Sequence, residues 1–434
     1  MKAKILFLVL TLSCISNITA ANATLRPDES SLVNYIDKHK TNQLKLLEDL
    51  VNINSGTGNR PGVEKVGERV RIELDDLGFK TQWVNLPTSM KHAGSLVATH
   101  SGGLGKKILM IGHLDTVFPP NSTFQSFTLL PDQQSVTGPG VIDDKGGIVT
   151  ILYALKALNH TGKLKYANIT VVLTGDEEQA AKPTSISRKA LREAAQDSDI
   201  ALGFEFSLAE NQLVTGRRGL SEWFLSGSGK SGHSSTIFQT ASGDGAIYET
   251  ARVLNSFRTT LSNIPGLTLN PGIILGGQTV NEDTQQNIGN ANGQKTIIAA
   301  QTLVHGDLRF LSDEQKSMAE QKMRDITMTP LPLTSSQLIF NNIMPAMPET
   351  NSNRQLLTEF SDISVTLGGA SLQAVPAAER GGADISYIAQ YVAASLDGLG
   401  PWGSGAHSQN EILEVTSLPE VTKRAAIFVS RHLN

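Results

Sequence analysis

Ile108-Leu109-Met110-Ile111-Gly112-His113-Leu114-Asp115 is the stretch on which the fold turns: four apolar residues in a row, then a glycine, an imidazole and a carboxylate two residues on. A short continuous apolar run bounded by turn residues fits a strand buried on both faces. The same design recurs twice downstream. Ile169-Thr170-Val171-Val172-Leu173 leads into Gly175-Asp176-Glu177-Glu178, and Ile200-Ala201-Leu202 leads into Gly203-Phe204-Glu205. Helical stretches at 149–158 and 187–195 separate the runs. The expectation is an α/β fold with a mostly parallel sheet covered on both faces. Ligands of such sheets bind beyond the carboxyl ends of the strands. Each run delivers a histidine or an acid to that edge. Strand ends are polar wherever they leave a core, which accounts for one acid but not for an imidazole and several carboxylates on one rim.

Between the first two runs stands Gly138-Pro139-Gly140-Val141-Ile142-Asp143-Asp144-Lys145-Gly146-Gly147, followed by an apolar helical run. Gly and Pro turn the backbone sharply ahead of the acids, and Gly146-Gly147 allow the next segment to approach closely. Taken alone, a solvated turn with a helix-capping Asp explains this stretch as well as a metal site does. His113, Asp115, Glu177, Glu178 and Glu205 change that balance, because they end on the same rim.

The 434 residues, 39% hydrophobic and 18% charged, are enough for two or three domains with cores of their own. A net charge of −4 offers no electrostatic case for nucleic-acid binding. Met1-Lys2-Ala3-Lys4 is a short basic start, residues 5–15 are apolar, and small residues follow at Ala20, Ala21 and Ala23. Residues 1–23 are therefore expected to be a cleavable secretory signal peptide, too short for a stable membrane span, with the mature protein periplasmic or secreted. The one cysteine, Cys14, lies inside that segment. Thr11-Leu12-Ser13-Cys14 is a poor lipoprotein signal, since Thr11 stands where Leu is expected. A mature chain without thiols has neither disulfides nor a cysteine nucleophile, and any metal must be held by His, Asp and Glu.

Residues 28–50 carry helical apolar spacing, as do 62–77, and short strands are expected at 80–84 and 95–99. From Arg217 the character changes. Residues 220–225, 272–275 and 297–310 are strand-like, with alternation at Leu303, His305, Asp307 and Arg309, while 246–257 and 314–326 read as helices. This predicts a two-layer α+β domain over 217–330, inserted between catalytic segments 24–216 and 331–434. Residues 334–350 read as the return linker, and 356–367 and 385–392 as helices. A glycine-rich loop, 398–405, delivers His407, and 418–431 is a closing helix. Gly229-Lys230-Ser231 lacks the earlier glycine of a phosphate-binding loop, and no Gly-x-Ser-x-Gly elbow is present. His39, His92, His100, His160 and His432 lie in polar or terminal contexts and read as surface residues.

His113-x-Asp115-Thr116-Val117, the Asp143 stretch, Asp176-Glu177-Glu178, Gly229-Lys230-x-x-His233 and His407-Ser408-x-x-Glu411 occur together in one order and spacing. Jointly they resemble the zinc-dependent M20 family of exopeptidases and aminoacylases, most closely its glutamate carboxypeptidase branch. The resemblance runs from about Thr41 to the end of the chain. It implies that Asp143 bridges two zinc ions, one completed by Glu178 and His407 and the other by His113 and Glu205. It makes Asp115 the carboxylate that holds His113 in its ligating tautomer, and Glu177 the general base toward a metal-bridged water. The chemistry of these residue types agrees: zinc takes imidazole nitrogen and carboxylate oxygen, and a carboxylate can give one oxygen to each of two ions.

By the same resemblance His233, in the inserted dimerisation or lid domain, reaches the active site of a second subunit in a homodimer and stabilises the oxyanion there; a plain loop histidine is the alternative. Asn281 matches a substrate-contact position. The implied activity is that of a metallocarboxypeptidase removing a C-terminal acidic residue from a peptide or N-acyl amino acid. An aminoacylase or dipeptidase is the alternative within the family, and a non-catalytic zinc- or peptide-binding protein the alternative outside it. Glu177, which binding alone does not require, favours an enzyme. The chain departs from the family pattern twice. Gln179-Ala180-Ala181-Lys182-Pro183 lengthens the segment after the glutamate pair, and Met344-Pro345 stands where the carboxypeptidases carry an Arg for the substrate carboxylate. Arg217, Arg218, Arg309 and Arg380 are the available substitutes. Arg380 is the first choice, with an ion pair to Asp384 as its structural alternative.

Overall fold

The run 108–111 becomes part of the strand Leu104–His113, and its side chains alternate between two cores. Ile108 and Met110 join the larger apolar cluster, while Leu109 and Ile111 join a smaller one on the opposite face. The computed structural model describes residues 24–283 and 288–433; the expected signal segment and Cys14 lie outside the described residues. The strand pairs in parallel with Ala167–Thr174 on one side and Ile200–Gly203 on the other, and Ala394–Leu396 extends the parallel set beside Ile200–Gly203. Ser95–Ser101 and Lys80–Val84 complete a six-stranded sheet with antiparallel pairings at the far edge. The sheet is mostly parallel, as the unbroken apolar runs require.

Both faces are covered. The helices Pro27–Lys38, Lys40–Val51, Lys145–His160, Asn351–Thr366 and Ser417–Arg431 supply Leu32, Leu47, Leu155, Phe360 and Phe428 to the larger core. The helix Lys189–Gln196 and the turns around Ile385 and Ile388 close the smaller one. The helix Lys145–His160 starts directly after Asp143-Asp144 and is buried along most of its length. Its entry depends on glycine. Gly140 has φ +80°, and a Cβ on Gly147 would lie 2.1 Å from the Phe204 carbonyl oxygen.

The insert is a four-stranded antiparallel sheet in the order Thr268–Gly277, Gln301–Phe310, Gly219–Gly229, Thr334–Met344. The helices Gly245–Leu261 and Asp313–Thr327 cover one face over a core of Trp223, Leu225, Phe257, Val304, Leu308 and Met323. Two expectations are corrected here. The insert does not end at residue 330, because Thr334–Met344, read as a linker, pairs with Leu220 through Gly229 of the strand Gly219–Gly229. Thr334–Met344 is an edge strand rich in Ser, Gln and Asn, so its alternation is muted: Leu338 and Phe340 are the apolar side chains it packs against the core of the insert, and Ser336 donates to Glu249 of the covering helix. Residues 385–392 form two 3-10 turns, Asp384–Tyr387 and Ala389–Tyr391, rather than a helix. A two-stranded ribbon, Thr279–Asp283 with Ile288–Asn292, projects between two strands of the insert. No helix among the described residues is long and apolar enough to cross a membrane.

Candidate metal centre and active site

The strand ends converge on Asp143. His113, at the last position of its strand, brings Nε2 to 2.9 Å from Asp143 Oδ1 and 3.5 Å from Glu205 Oε1. From the other side His407 Nε2 lies 3.0 Å from Asp143 Oδ2 and 3.1 Å from Glu178 Oε2. Two groups of three result, His113–Asp143–Glu205 and Asp143–Glu178–His407, with ligand atoms in each within 4.8 Å of one another. They share one residue, and each imidazole faces a different oxygen of it. His407 occupies the left-handed region at φ +63°, uncommon for a residue with a side chain, which aims its ring across the rim.

Asp115 is fully buried beneath this arrangement. Its backbone carbonyl oxygen lies 3.1 Å from His113 Nδ1, with Oδ1 at 3.4 Å; Oδ1 accepts the Glu177 amide at 3.0 Å, and Oδ2 accepts the Thr57 hydroxyl at 2.7 Å and the Glu178 amide at 3.2 Å. One residue thus orients an imidazole, through its carbonyl and carboxylate together, and the backbone of both glutamates. Burial works against its ionisation, but the His113 ring and these hydrogen bonds outweigh it and hold its carboxyl below the ordinary range.

The glutamate segment is clamped from below as well. Arg188, fully buried, donates to Asp176 Oδ1 and to Asp384 Oδ1, both at 2.6 Å, and to the Asp176 carbonyl at 3.0 Å. Deleting that guanidinium would leave two buried carboxylates unpaired, at a cost of about 3–5 kcal/mol. Arg188 was not legible as a site residue, since it precedes an amphipathic helix and reads as surface charge. Asp384 is therefore taken, and the alternative ion pair for Arg380 is not formed. Arg380 is buried, stacks on the Phe206 ring at 4.4 Å and donates to the Phe206 carbonyl at 3.3 Å, next to Glu205; its Nε is buried without a partner among the described residues. Burial, then the neighbouring Arg217, lowers its pKa. Arg217 is committed to Asp397 at 2.7 Å and Arg309 to Asp307 at 3.0 Å. The Met344 sulfur fills the space beside Gly382, where a Cβ would lie 1.8 Å away, so the departure at 344 abuts the Arg380 segment.

Two predicted residues lie elsewhere. His233 is exposed on the insert with Nδ1 2.8 Å from the Ser235 hydroxyl, and Asn281 is exposed on the projecting ribbon. Neither joins the hydrogen bonds and ion pairs of the Asp143 cluster among the described residues.

The electrostatics of the cluster call for cations. Burial, then the charge of Asp143, pushes Glu205 up to about 7. Burial, then Glu205, raises Glu177 well above the usual range, and burial with Asp143 raises Glu178. Hydrogen bonds to Asp143 and Glu178 lift His407 to about 11. Without ions, the site compensates its acids with protons on carboxyls and imidazoles, and divalent ions would replace those protons. The donor set, imidazole nitrogen and carboxylate oxygen with no thiol, fits zinc and related divalent metals.

A mostly parallel α/β body with an inserted α+β domain, carrying a shared-carboxylate cluster beside an extra glutamate, defines a metal-dependent hydrolase. The chain belongs to Peptidase family M20/M25/M40, whose model matches residues 109–431. It is 28% identical over 396 residues to carboxypeptidase G2 of Pseudomonas sp. (strain RS-16), covering 88% of this chain and 87% of that protein. Among solved structures it is similar to the aminopeptidase PepT from Bacillus cereus, with a TM-score of 0.70 at 17% identity, covering 90% of this chain and 98% of the other. It is also similar to a dinuclear metal-binding peptidase of the M20 family from Bacillus subtilis, with a TM-score of 0.62 at 14% identity, covering 92% and 99%.

The raised carboxyls set a pH dependence. Burial pushes Asp176 up to about 6, and Glu205 and Glu411 up to about 7. The ion-free native chain therefore binds more protons than the unfolded chain between the ordinary carboxylate range and pH 7, and its stability falls as pH rises through that window. Denaturant unfolding of chelator-treated protein should give a lower midpoint at pH 7 than at pH 5, with the difference shrinking when divalent ions are added. A higher midpoint at pH 7 would contradict this reading.

Proposed function

We propose that this protein is an exported di-zinc metallocarboxypeptidase that removes a C-terminal acidic residue, of the glutamate type, from a peptide or N-acyl amino acid. The observation that carries the reading is the division of Asp143: one oxygen toward His113 and Glu205, the other toward His407 and Glu178. Those five residues would hold the two ions. Bound there, the ions would supply Lewis acidity for the scissile carbonyl and for the attacking water. Glu177 takes a proton from that water as its oxygen bonds to the carbonyl carbon. It then passes the proton to the amide nitrogen as the C–N bond breaks, releasing a carboxylate and a free amino acid. Asp115 keeps Glu177 in place through its amide and holds the tautomer of His113.

Specificity is read from Arg380. Its Nε has no partner among the described residues, and its guanidinium, held against Phe206, suits a substrate carboxylate in compensation for Met344. The same methionine favours the second reading, an aminoacylase or dipeptidase acting through the same centre. The name of carboxypeptidase G2 supports the first. A homodimer built through the insert suits the exposed His233, which would stabilise the oxyanion in the partner's site, and the edge strand Thr268–Gly277, where Ile274 is 59% exposed. Export rests on the basic and apolar pattern of residues 1–23, and N-terminal sequencing of the mature protein tests it.

Zinc- or cobalt-loaded protein should release glutamate from an N-acyl-glutamate faster than neutral residues from matched substrates; a preference for dipeptides or neutral residues would favour the second reading. Glu177→Ala should retain both metals while turnover falls about 10²–10⁴-fold, and undiminished turnover would remove it from the base role. Arg380→Met should lower kcat/KM about 10–100-fold for acidic substrates, mainly through KM. Mixed dimers of His233→Ala with a His407→Ala partner should keep one working site of two only if His233 acts across subunits. A monomeric mass in solution would dismiss that part.

A further inference from the structure

Glu411 is buried to 1% exposure at the base of the loop that carries His407, and no cation pairs with it among the described residues. Its two oxygens accept three backbone amides of the opposite turn: Oε2 takes Gly140 at 3.0 Å, and Oε1 takes Ile142 at 2.9 Å and Asp143 at 3.2 Å. Lys145 feels the charge of Glu411 but forms no ion pair with it, donating instead to the Ile53 carbonyl at 3.0 Å. A buried carboxylate without a counter-ion is costly in an acid-rich pocket. Closing a Gly- and Pro-rich turn does not require one, since a neutral acceptor or a water would serve.

The other end of Glu411 belongs to the His407 loop. Its amide donates to the Ser408 carbonyl at 3.1 Å, the Ser408 amide donates to the Gly405 carbonyl at 3.0 Å, and the Glu411 carbonyl accepts the Thr137 hydroxyl at 2.7 Å. These bonds hold a loop in which Gly405 and His407 both have positive φ. Glu411 is thus the tie between the turn presenting Asp143 and the loop presenting His407, which lie 264 positions apart in sequence order and meet at the shared carboxylate.

We infer that Glu411 is a positioning residue for the metal pair: by gripping the amides of Gly140, Ile142 and Asp143 it sets the orientation in which Asp143 offers one oxygen to each ion. The inference rests on the two-ion reading above. Because Asp143 belongs to both groups, loss of the grip weakens both ions together, whereas loss of His407 weakens one.

The test is equilibrium binding of zinc to chelator-treated full-length protein against a competing chelator, with metal content measured directly. Wild type binds two ions. Glu411→Gln, which keeps the size but offers one acceptor oxygen in place of two, weakens both by about 10–100-fold. Glu411→Asp keeps the charge but draws it back from the amides, and it weakens both in the same sense. His407→Ala affects one ion only. Phe428→Ala, remote in the helical core, serves as the control: it lowers the ion-free unfolding midpoint and leaves both affinities in place. Wild-type affinity at both ions in Glu411→Asp overturns the inference, whatever Glu411→Gln does or fails to do in folding. A wild-type protein that binds fewer than two ions overturns the two-ion reading itself.

Discussion

Everything in the catalytic body is arranged around an electrostatic problem: Asp143, Asp144, Glu177, Glu178, Glu205 and Glu411 are gathered where the strands end, with two histidines among them. Such a set repels itself in a medium of low polarity. The chain spends backbone amides, buried arginines and imidazoles to hold it in place. Arg188 answers Asp176 and Asp384, Arg217 answers Asp397, and the amides of 177 and 178 answer Asp115. What remains uncompensated is the excess of buried carboxyls around Asp143, among them Glu177, Glu178 and Glu205, and divalent cations are the chemistry that balances it.

The fold explains why the acids can be so close. A parallel sheet brings the carboxyl ends of distant strands to one edge, so His113, Glu177 and Glu205 need no long loops to meet. The turn before the helix Lys145–His160 then drops Asp143 into the centre, and a loop near the end of the chain covers it with His407. Because the ligands arise from five separate segments, at 113, 143, 178, 205 and 407, the geometry belongs to the tertiary structure rather than to any one motif. The insert stands apart from this problem. Its core is apolar, and its contribution is a surface with an open sheet edge and an exposed histidine.

Much of this was legible in the chain itself. Three unbroken apolar runs with polar ends announced the parallel sheet, and the residues on those ends are the ones the structure brings within ligand distance. Periodicity also found the helices of the insert. It failed at Thr334–Met344, where a half-exposed edge strand shows too few apolar residues for alternation to stand out, and at 384–391, where apolar residues at helical spacing pack as short turns. The second layer of the site was the least visible. Arg188 and Thr57 depend on contacts between segments far apart in sequence, and nothing in their local context distinguishes them from surface or turn residues; Glu411 stood out as a motif position, but not its grip on the amides of the Asp143 turn.

The most direct test is anomalous diffraction from crystals of the zinc-loaded protein, measured on both sides of the metal absorption edge. The shared-carboxylate account predicts two peaks about 3.5–4 Å apart, one touching each oxygen of Asp143, with His113 and His407 on opposite sides. A single peak, or two peaks of which one makes no contact with Asp143, would contradict it.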